Sequence, residues 1–428
     1  MELLEREQFL GELGSILSEV AAGRGRFVLV SGEAGIGKTT LIEQFTEACP
    51  SQTRVLWGAC DALFTPRPLG PLHDIAQQTQ GELRTLLEEE APRASIFAKA
   101  LEELGKRNGP SITVIEDVHW ADEATLDLLK FLGRRINRIN SMLVVTYRDD
   151  EVGAEHPLRR VLGDLPHRSV TRIRLPPLSE AAVKHLADGA GRPHGDLYAV
   201  TGGNPFFVTE ALASGEAGVP VTVRDAVLSR AARLSSLATG VLELVSVVPA
   251  RTEIWLLNDA INPESSVLEE CIDAGMLRCE DEAVFFRHEL ARLTMQDSLA
   301  LPRRQTLHQL VLKALLNRRS EALLARIVHH AAQAGIGEQV LKYAPGAARQ
   351  AAAFSAHREA ASHYQTALQF AHSIAPQERA ELFESRSYEC YLTDQMDEAL
   401  LARRGALKVW QQMGDKIHQG DNLRWMSR

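Results

Sequence analysis

Up to about Leu175, short apolar and β-branched runs alternate with stretches whose apolar positions recur at helical spacing. The runs Phe27–Ser31, Arg54–Gly58, Ser111–Ile115, Met142–Thr146 and Val170–Leu175 predict strands. Strands separated by helices need crossover connections, so the pattern predicts a parallel sheet with helices on both faces. After the second strand, Phe64-Thr-Pro-Arg-Pro-Leu-Gly-Pro-Leu is too rich in proline for regular structure and reads as a loop. Pro176-Pro177 ends the alternation, and Leu178-Ser179-Glu180 opens a helix that Ser179 is placed to cap. A second loop, Thr201-Gly-Gly-Asn-Pro205, precedes a helix from Phe206 to Ala213. From about Val221 to Leu310 the pattern gives helices and one short strand pair, Leu277–Cys279 with Ala283–Phe286, the outline of a winged-helix module. Beyond Gln305 the chain is Ala-rich and helical. His357-Arg-Glu-Ala360 and Met396-Asp-Glu-Ala399 occupy matching positions, with Ala367 and Ala406 at the same offset. Small residues at that spacing let paired helices pack closely, as in helical solenoids.

The first strand runs into Gly32-Glu33-Ala34-Gly35-Ile36-Gly37-Lys38-Thr39, and Leu41, Ile42 and Phe45 follow on one helix face. G-x-x-x-x-G-K-[ST] between a strand and a helix is the P-loop. Its glycines let successive backbone N–H groups turn around a phosphate, and the helix N-terminus adds partial positive charge. Lys38 is placed to reach the β- and γ-phosphates, and the Thr39 hydroxyl to sit on Mg²⁺, with Thr40 beside it in the cradle. The expected ligand is a nucleoside triphosphate.

Ile112-Thr-Val-Ile115 followed by Glu116-Asp117 reads as a Walker B strand, which delivers acids beside the P-loop. By position Glu116 is the acid on the metal side and Asp117 the acid on the water side. Asp usually comes first, so the two roles are open to exchange; the bland alternative is a strand ending in solvated carboxylates. Trp120, in the following His119-Trp120-Ala-Asp122, reads as a packing residue. Val144-Val145-Thr146-Tyr147-Arg148 ends another strand, and in an open α/β sheet ligands lie at the carboxyl ends of strands. Arg148 is therefore a candidate sensor of the γ-phosphate. Its alternative is a surface arginine paired with Asp149, Asp150 or Glu151, worth about 0–1 kcal/mol.

The histidines give less. Phe286-Arg-His-Glu-Leu290 fails as H-E-x-x-H because Arg292 stands where the second His belongs. His329-His330 and the other histidines show no ligand spacing along the chain, and spacing alone gives His288 no role. Gly203-Asn204-Pro205 could be a turn before a helix. No nucleophile elbow or dinucleotide motif competes with the P-loop.

A chain of 428 residues allows two to four domains. With 45% hydrophobic and 24% charged residues it is globular, and a net charge of −9 argues against a broad nucleic-acid surface. Five cysteines without C-x-x-C pairing suit reduced thiols. The acidic N-terminus is unlike a signal peptide, and no apolar run approaches the roughly 20 residues that span a bilayer. A cytoplasmic protein without membrane partners is expected.

The ensemble resembles the signalling NTPases of the STAND class, and among them the large ATP-binding LuxR-type regulators of bacteria. The residues that carry the likeness are Leu3-Leu-Glu-Arg6-Glu7, the P-loop, Glu116-Asp-Val-His-Trp-Ala-Asp122, Thr146-Tyr-Arg148, Thr201-Gly-Gly-Asn-Pro-Phe206 and Phe286-Arg-His-Glu-Leu290. The resemblance implies an α/β P-loop NTPase domain (1–175), a helical lid (176–225), a winged-helix-like domain (226–310) and TPR-like helical repeats (311–428). The repeats end without a cap and read as truncated. It further implies that Arg6 lies near the adenine, that Gly203 and Pro205 contact the base from the lid, and that His288 touches the β-phosphate of ADP in a closed resting state. ATP with Mg²⁺ would open it, with slow hydrolysis to ADP. An inducer or regulatory protein is expected on the repeats, and nucleotide-driven self-association is a further expectation. The family's C-terminal helix-turn-helix is not seen, so DNA is not an expected partner of this chain. The alternative is a turnover AAA-like ATPase acting on DNA or protein.

Overall fold

The computed structural model describes residues 3–63, 65–105, 109–191, 197–213, 223–249, 251–280, 282–318 and 320–427. Strands β1 (Arg26–Ser31), β2 (Arg54–Ala59), β3 (Ser111–Glu116), β4 (Ser141–Tyr147) and β5 (Val170–Arg174) form one sheet in the order β2-β3-β4-β1-β5, all neighbours parallel. Every strand expected from the pattern is present, its ends shifted by at most a residue. The strands read as continuous apolar runs because both faces are covered. Val28, Val30, Ile112, Val114, Met142 and Val144 join a core with Leu13, Ile16, Leu41 and Ile42 of the helices Glu7–Ala21 and Lys38–Glu47. Phe27, Leu29, Ile115, Leu143 and Val145 face the opposite core, which includes Leu128 and Leu129 of the helix Glu123–Gly133. Each such side chain contributes about 1.5–3 kcal/mol by leaving water. The register sets Ser31 level with Tyr147 and Arg174, and Glu116 level with Ala59. The carboxyl ends of the strands therefore meet on one rim.

The proline-rich loop is shorter than its composition suggests. The helix Gly70–Thr79 starts inside it, with Pro71 in the first turn, where a missing N–H costs no helical bond. Leu69 donates its N–H to Asp122 at 3.2 Å, tying the loop to the segment after β3; Phe64 lies outside the described residues.

Ser179 caps the helix Glu180–Gly189, its Oγ accepting the Ala182 N–H at 3.2 Å. The helices Leu197–Thr201, Pro205–Ala213 and Val223–Ala231 follow. A small antiparallel sheet then forms from β6 (Thr252–Glu253), β7 (Leu277–Glu280) and β8 (Ala283–Phe286), in the order β6-β8-β7. Strand β6 was not expected; two residues carry no periodicity. From Leu301 the helices stack pairwise, each on the next, through Leu301–Asn317, Leu324–Gln333, Gly337–Ala353, His357–Phe370, Pro376–Leu392, Met396–Met413 and Lys416–Met426. Both repeated tetrads open helices, and Ala360, Ala367, Ala399 and Ala406 are fully buried between them. The architecture is an α/β P-loop NTPase followed by a helical region with helical repeats.

The repeats return to the sheet domain at the start of the helix Glu123–Gly133. Glu123 donates its N–H to Glu359 Oε1 at 3.0 Å, and Arg358 donates its N–H to Glu123 Oε2 at 3.3 Å. Two helix N-termini thus cap each other with carboxylates. His308, His329 and His330, which show no ligand spacing along the chain, meet in space across two helices. Among the described residues no helix is long and apolar enough to cross a membrane.

Candidate functional site

The P-loop joins β1 to the helix Lys38–Glu47, with Gly37 in the left-handed region at the helix start (φ 93°). The Lys38 ammonium is buried and donates to the carbonyls of Gly32 at 2.8 Å and Glu33 at 3.0 Å. Burial lowers its pKa, against the pull of Asp117. Thr39 donates its hydroxyl to Glu116 Oε1 at 2.5 Å, and the Trp57 indole N–H donates to Glu116 Oε2 at 3.0 Å. Burial and the neighbouring Asp117 push the Glu116 carboxyl up to about 7, against the pull of those two donors. Asp117 sits in the left-handed region (φ 53°) and gives its N–H to Thr146 Oγ1 at 3.0 Å. Burial raises its carboxyl also, while Arg148 and Lys38 hold it down. Lys38, Thr39, Glu116 and Asp117 are thus brought together at the ends of β1 and β3.

Arg148 is 5% exposed, which removes the surface-arginine alternative, yet its partner is one that alternative named: Nη1 meets Glu151 Oε1 at 2.5 Å. The guanidinium lies 4.6 Å over the Trp120 ring, so Trp120 is a platform for it. The Arg148 N–H points to His119 Nδ1 at 3.4 Å, and burial pushes that imidazole down to about 3, leaving it neutral and able to accept. Asp117 and Lys38 are close enough to shift each other electrostatically, and the Arg148 charge acts on both.

The crest of the P-loop is covered by later segments. Asn204 Nδ2 donates to Ala34 O at 2.9 Å, and the Phe206 N–H donates to Gly35 O at 3.2 Å. A Cβ on Gly35 would lie 2.8 Å from Phe206 Cβ, 3.1 Å from Asn204 Oδ1 and 3.3 Å from Leu290 Cδ1, so two segments close on this position. Gly203 (φ 74°) accepts the Leu178 N–H at 2.8 Å, and a Cβ there would strike the Leu178 carbonyl at 2.2 Å. Pro205 opens the helix that carries Phe206. His288 precedes the helix Glu289–Ser298, and its ring packs 4.6 Å from that of Phe206; burial pushes it down to about 3, so it is neutral. Arg278 of β7 bridges to Glu43 of the P-loop helix at 2.6 Å. Glu33 and Thr40 are exposed beside the cradle.

On the other side of the P-loop is a cavity of about 350 Å³ lined by Gln8, Phe9, Glu33, Ile36, Arg174 and Pro176, among others. Arg6 is fully buried next to it. Its Nη2 donates to Pro176 O at 2.8 Å and Ile36 O at 3.5 Å, joining the P-loop to the end of β5. Asn204 and Leu290 stand in motifs named from the sequence but had no role of their own there, and Trp57 and the Arg278–Glu43 pair were not singled out. Only Asn204 carried a signal, an Asn directly before a helix-opening proline; the others depend on long-range folding.

Residues 2–145 match the AAA ATPase domain family, and this segment is an AAA-type ATPase domain. An uncharacterized protein of Rhizobium meliloti is 23% identical over an alignment that covers 89% of this chain and 44% of that protein. Among solved structures, a Signal Transduction ATPase with Numerous Domains (STAND) from Pyrococcus horikoshii, with a tetratricopeptide repeat sensor, superposes with a TM-score of 0.56 at 15% identity. That match covers 94% of this chain and 64% of the other, and it is a likeness of fold. The chain spans less than two thirds of both proteins.

Proposed function

We propose that this chain is an ATP-binding signalling switch of a bacterial LuxR-type transcriptional regulator, closed on ADP and opened by ATP. The observation that carries the reading is the roof over the P-loop. Asn204 and Phe206 bond to the backbone of Ala34 and Gly35, Leu290 Cδ1 lies 3.3 Å from where a Gly35 Cβ would stand, and Arg278 holds Glu43. A nucleotide in the cradle lies under that roof, so binding and the arrangement of the helical half are linked. A ligand moves such an equilibrium only by its difference in affinity for the two arrangements.

The donor set fits a Mg·nucleotide. Lys38 now holds two P-loop carbonyls and is the cation available to a phosphate chain. Thr39 and Glu116 would hold Mg²⁺, which would supply charge neutralisation between phosphates. The Thr39–Glu116 bond supports Glu116 as the acid on the metal side. Asp117 would orient water, and Arg148, released from Glu151, would meet the γ-phosphate. The half-apolar cavity suits the base, with Arg6 fixing its wall rather than stacking on it. In this proposal 1–175 is the NTPase, 176–225 the lid, 226–310 the winged-helix-like domain whose His288 faces the ADP phosphates, and 311–428 the surface for an inducer or regulatory protein.

Two variants test this reading. Lys38→Ala is expected to abolish nucleotide binding with unchanged circular dichroism. His288→Ala is expected to speed ADP release more than ATP release, because only the closed arrangement uses it. Equal effects on both nucleotides would remove His288 from the switch.

A further inference from the structure

His308 lies on the helix Leu301–Asn317, and His329 and His330 on its neighbour Leu324–Gln333. A nitrogen from each ring lies within 4.8 Å of the other two. The ring centroids stand 5.0 Å apart for His308 and His330, 5.0 Å for His329 and His330, and 5.8 Å for His308 and His329. Imidazoles bound to one tetrahedral ion, at about 2.0–2.1 Å per Zn–N bond, place their centroids about 5 Å apart. The three ring centroids stand near that spacing. We infer that His308, His329 and His330 form a binding site for a divalent transition metal of the zinc class at the root of the helical repeats.

The competing explanation is a hydrogen-bonded pair in the core. His308 Nδ1 and His330 Nδ1 are 2.8 Å apart, so one donates to the other. That pairing involves only His308 and His330 and gives His329 no part, whereas an ion would use all three rings. An ion would need the two nitrogens to open to about 3.3 Å, a small movement for side chains on separate helices.

The surroundings define the class of ion. The three donors are imidazole nitrogens, and burial pushes His308 down to about 3, His329 down to about 4 and His330 well below its ordinary value. Among the described residues no carboxylate belongs to the cluster, which disfavours Mg²⁺ and Ca²⁺ and favours imidazole-seeking ions. Arg292, Arg304 and Arg326 face the cluster and oppose a cation. Arg292 is paired with Glu289 at 2.7 Å, and Arg326 with Glu253 at 2.7 Å, which offsets two of those charges. The Arg326–Glu253 pair also ties the helix Leu324–Gln333 to β6, so an ion here would stiffen the joint between arm and winged-helix-like segment.

The test uses the full chain, stripped with a chelator and titrated with Co²⁺ in the absence of nucleotide. The expected result is one ion per chain, with the visible absorption of a four-coordinate site, displaced by Zn²⁺. His308→Gln, His329→Gln and His330→Gln should each weaken binding at least about tenfold, whereas Lys38→Ala should leave it intact and so separate it from the Mg²⁺ site. If the buried variants fail to fold, the partly exposed His329→Gln decides alone. No saturable Co²⁺ binding, or affinity retained within about threefold in any folded His variant, would overturn the site.

Discussion

Gly35 is the residue on which the site closes. Its φ of 77° lies in the left-handed region, and Phe206 Cβ, Asn204 Oδ1 and Leu290 Cδ1 all crowd the place a Cβ would take. Gly35→Ala must therefore strain the P-loop or lift the roof, at about 1–3 kcal/mol. The expected outcome is a lower urea midpoint together with faster nucleotide release. Unchanged stability would mean that the roof does not rest on Gly35 in solution. The acids divide along similar lines. Glu116 is held by Thr39 and Trp57, whereas Asp117 lies in the field of Lys38 and Arg148. Glu116→Gln should therefore weaken the Mg²⁺ requirement for ATP binding more than Asp117→Asn does, measured as ATP affinity with and without Mg²⁺.

Between elements, the decisive junction is the reciprocal capping of the helices Glu123–Gly133 and His357–Phe370. The first follows the Walker B strand, and its start is ordered by Asp122, which accepts the Thr125 N–H at 2.9 Å. The second opens with a repeat tetrad. Burial, with Asp122 and Glu123 nearby, pushes Glu359 from its ordinary 4.5 up to about 7. Because the folded pKa lies above the unfolded one, the contribution of Glu359 is full below about 4.5 and is lost as pH rises through 7. The loss is up to about 2 kcal/mol after solvent screening. The melting temperature should fall more between pH 6 and pH 8 in the wild type than in Glu359→Gln; equal slopes would exclude the carboxyl from the junction. Much of this level was legible in the sequence. The sheet strands could be read to within a residue because burial on both faces writes an unbroken apolar run. The Gly70–Thr79 helix was hidden by Pro71, which is tolerated in the first turn, and β6 by its brevity. The mutual caps and the histidine tripod left no local trace, since each joins residues distant in the chain.

At the scale of the molecule, an AAA-type ATPase domain carries a helical half that returns to it at several places, among them over the P-loop and at the helix after β3. Those two contacts touch the P-loop itself and the helix that follows the Walker B strand. The P-loop motif marked that site in the sequence, but the roof over it emerges only when the Asn204 loop, Leu290 and Arg278 fold back together. A switch built this way retains its nucleotide and turns over slowly; a motor opens and reloads. The most direct test is quenched extraction of nucleotide from the purified chain beside a steady-state ATP turnover assay. The account predicts near-stoichiometric ADP with turnover well below 1 s⁻¹, under the usual enzyme range of about 1–10³ s⁻¹. An empty site with rapid turnover would contradict it and assign the chain to the working ATPases.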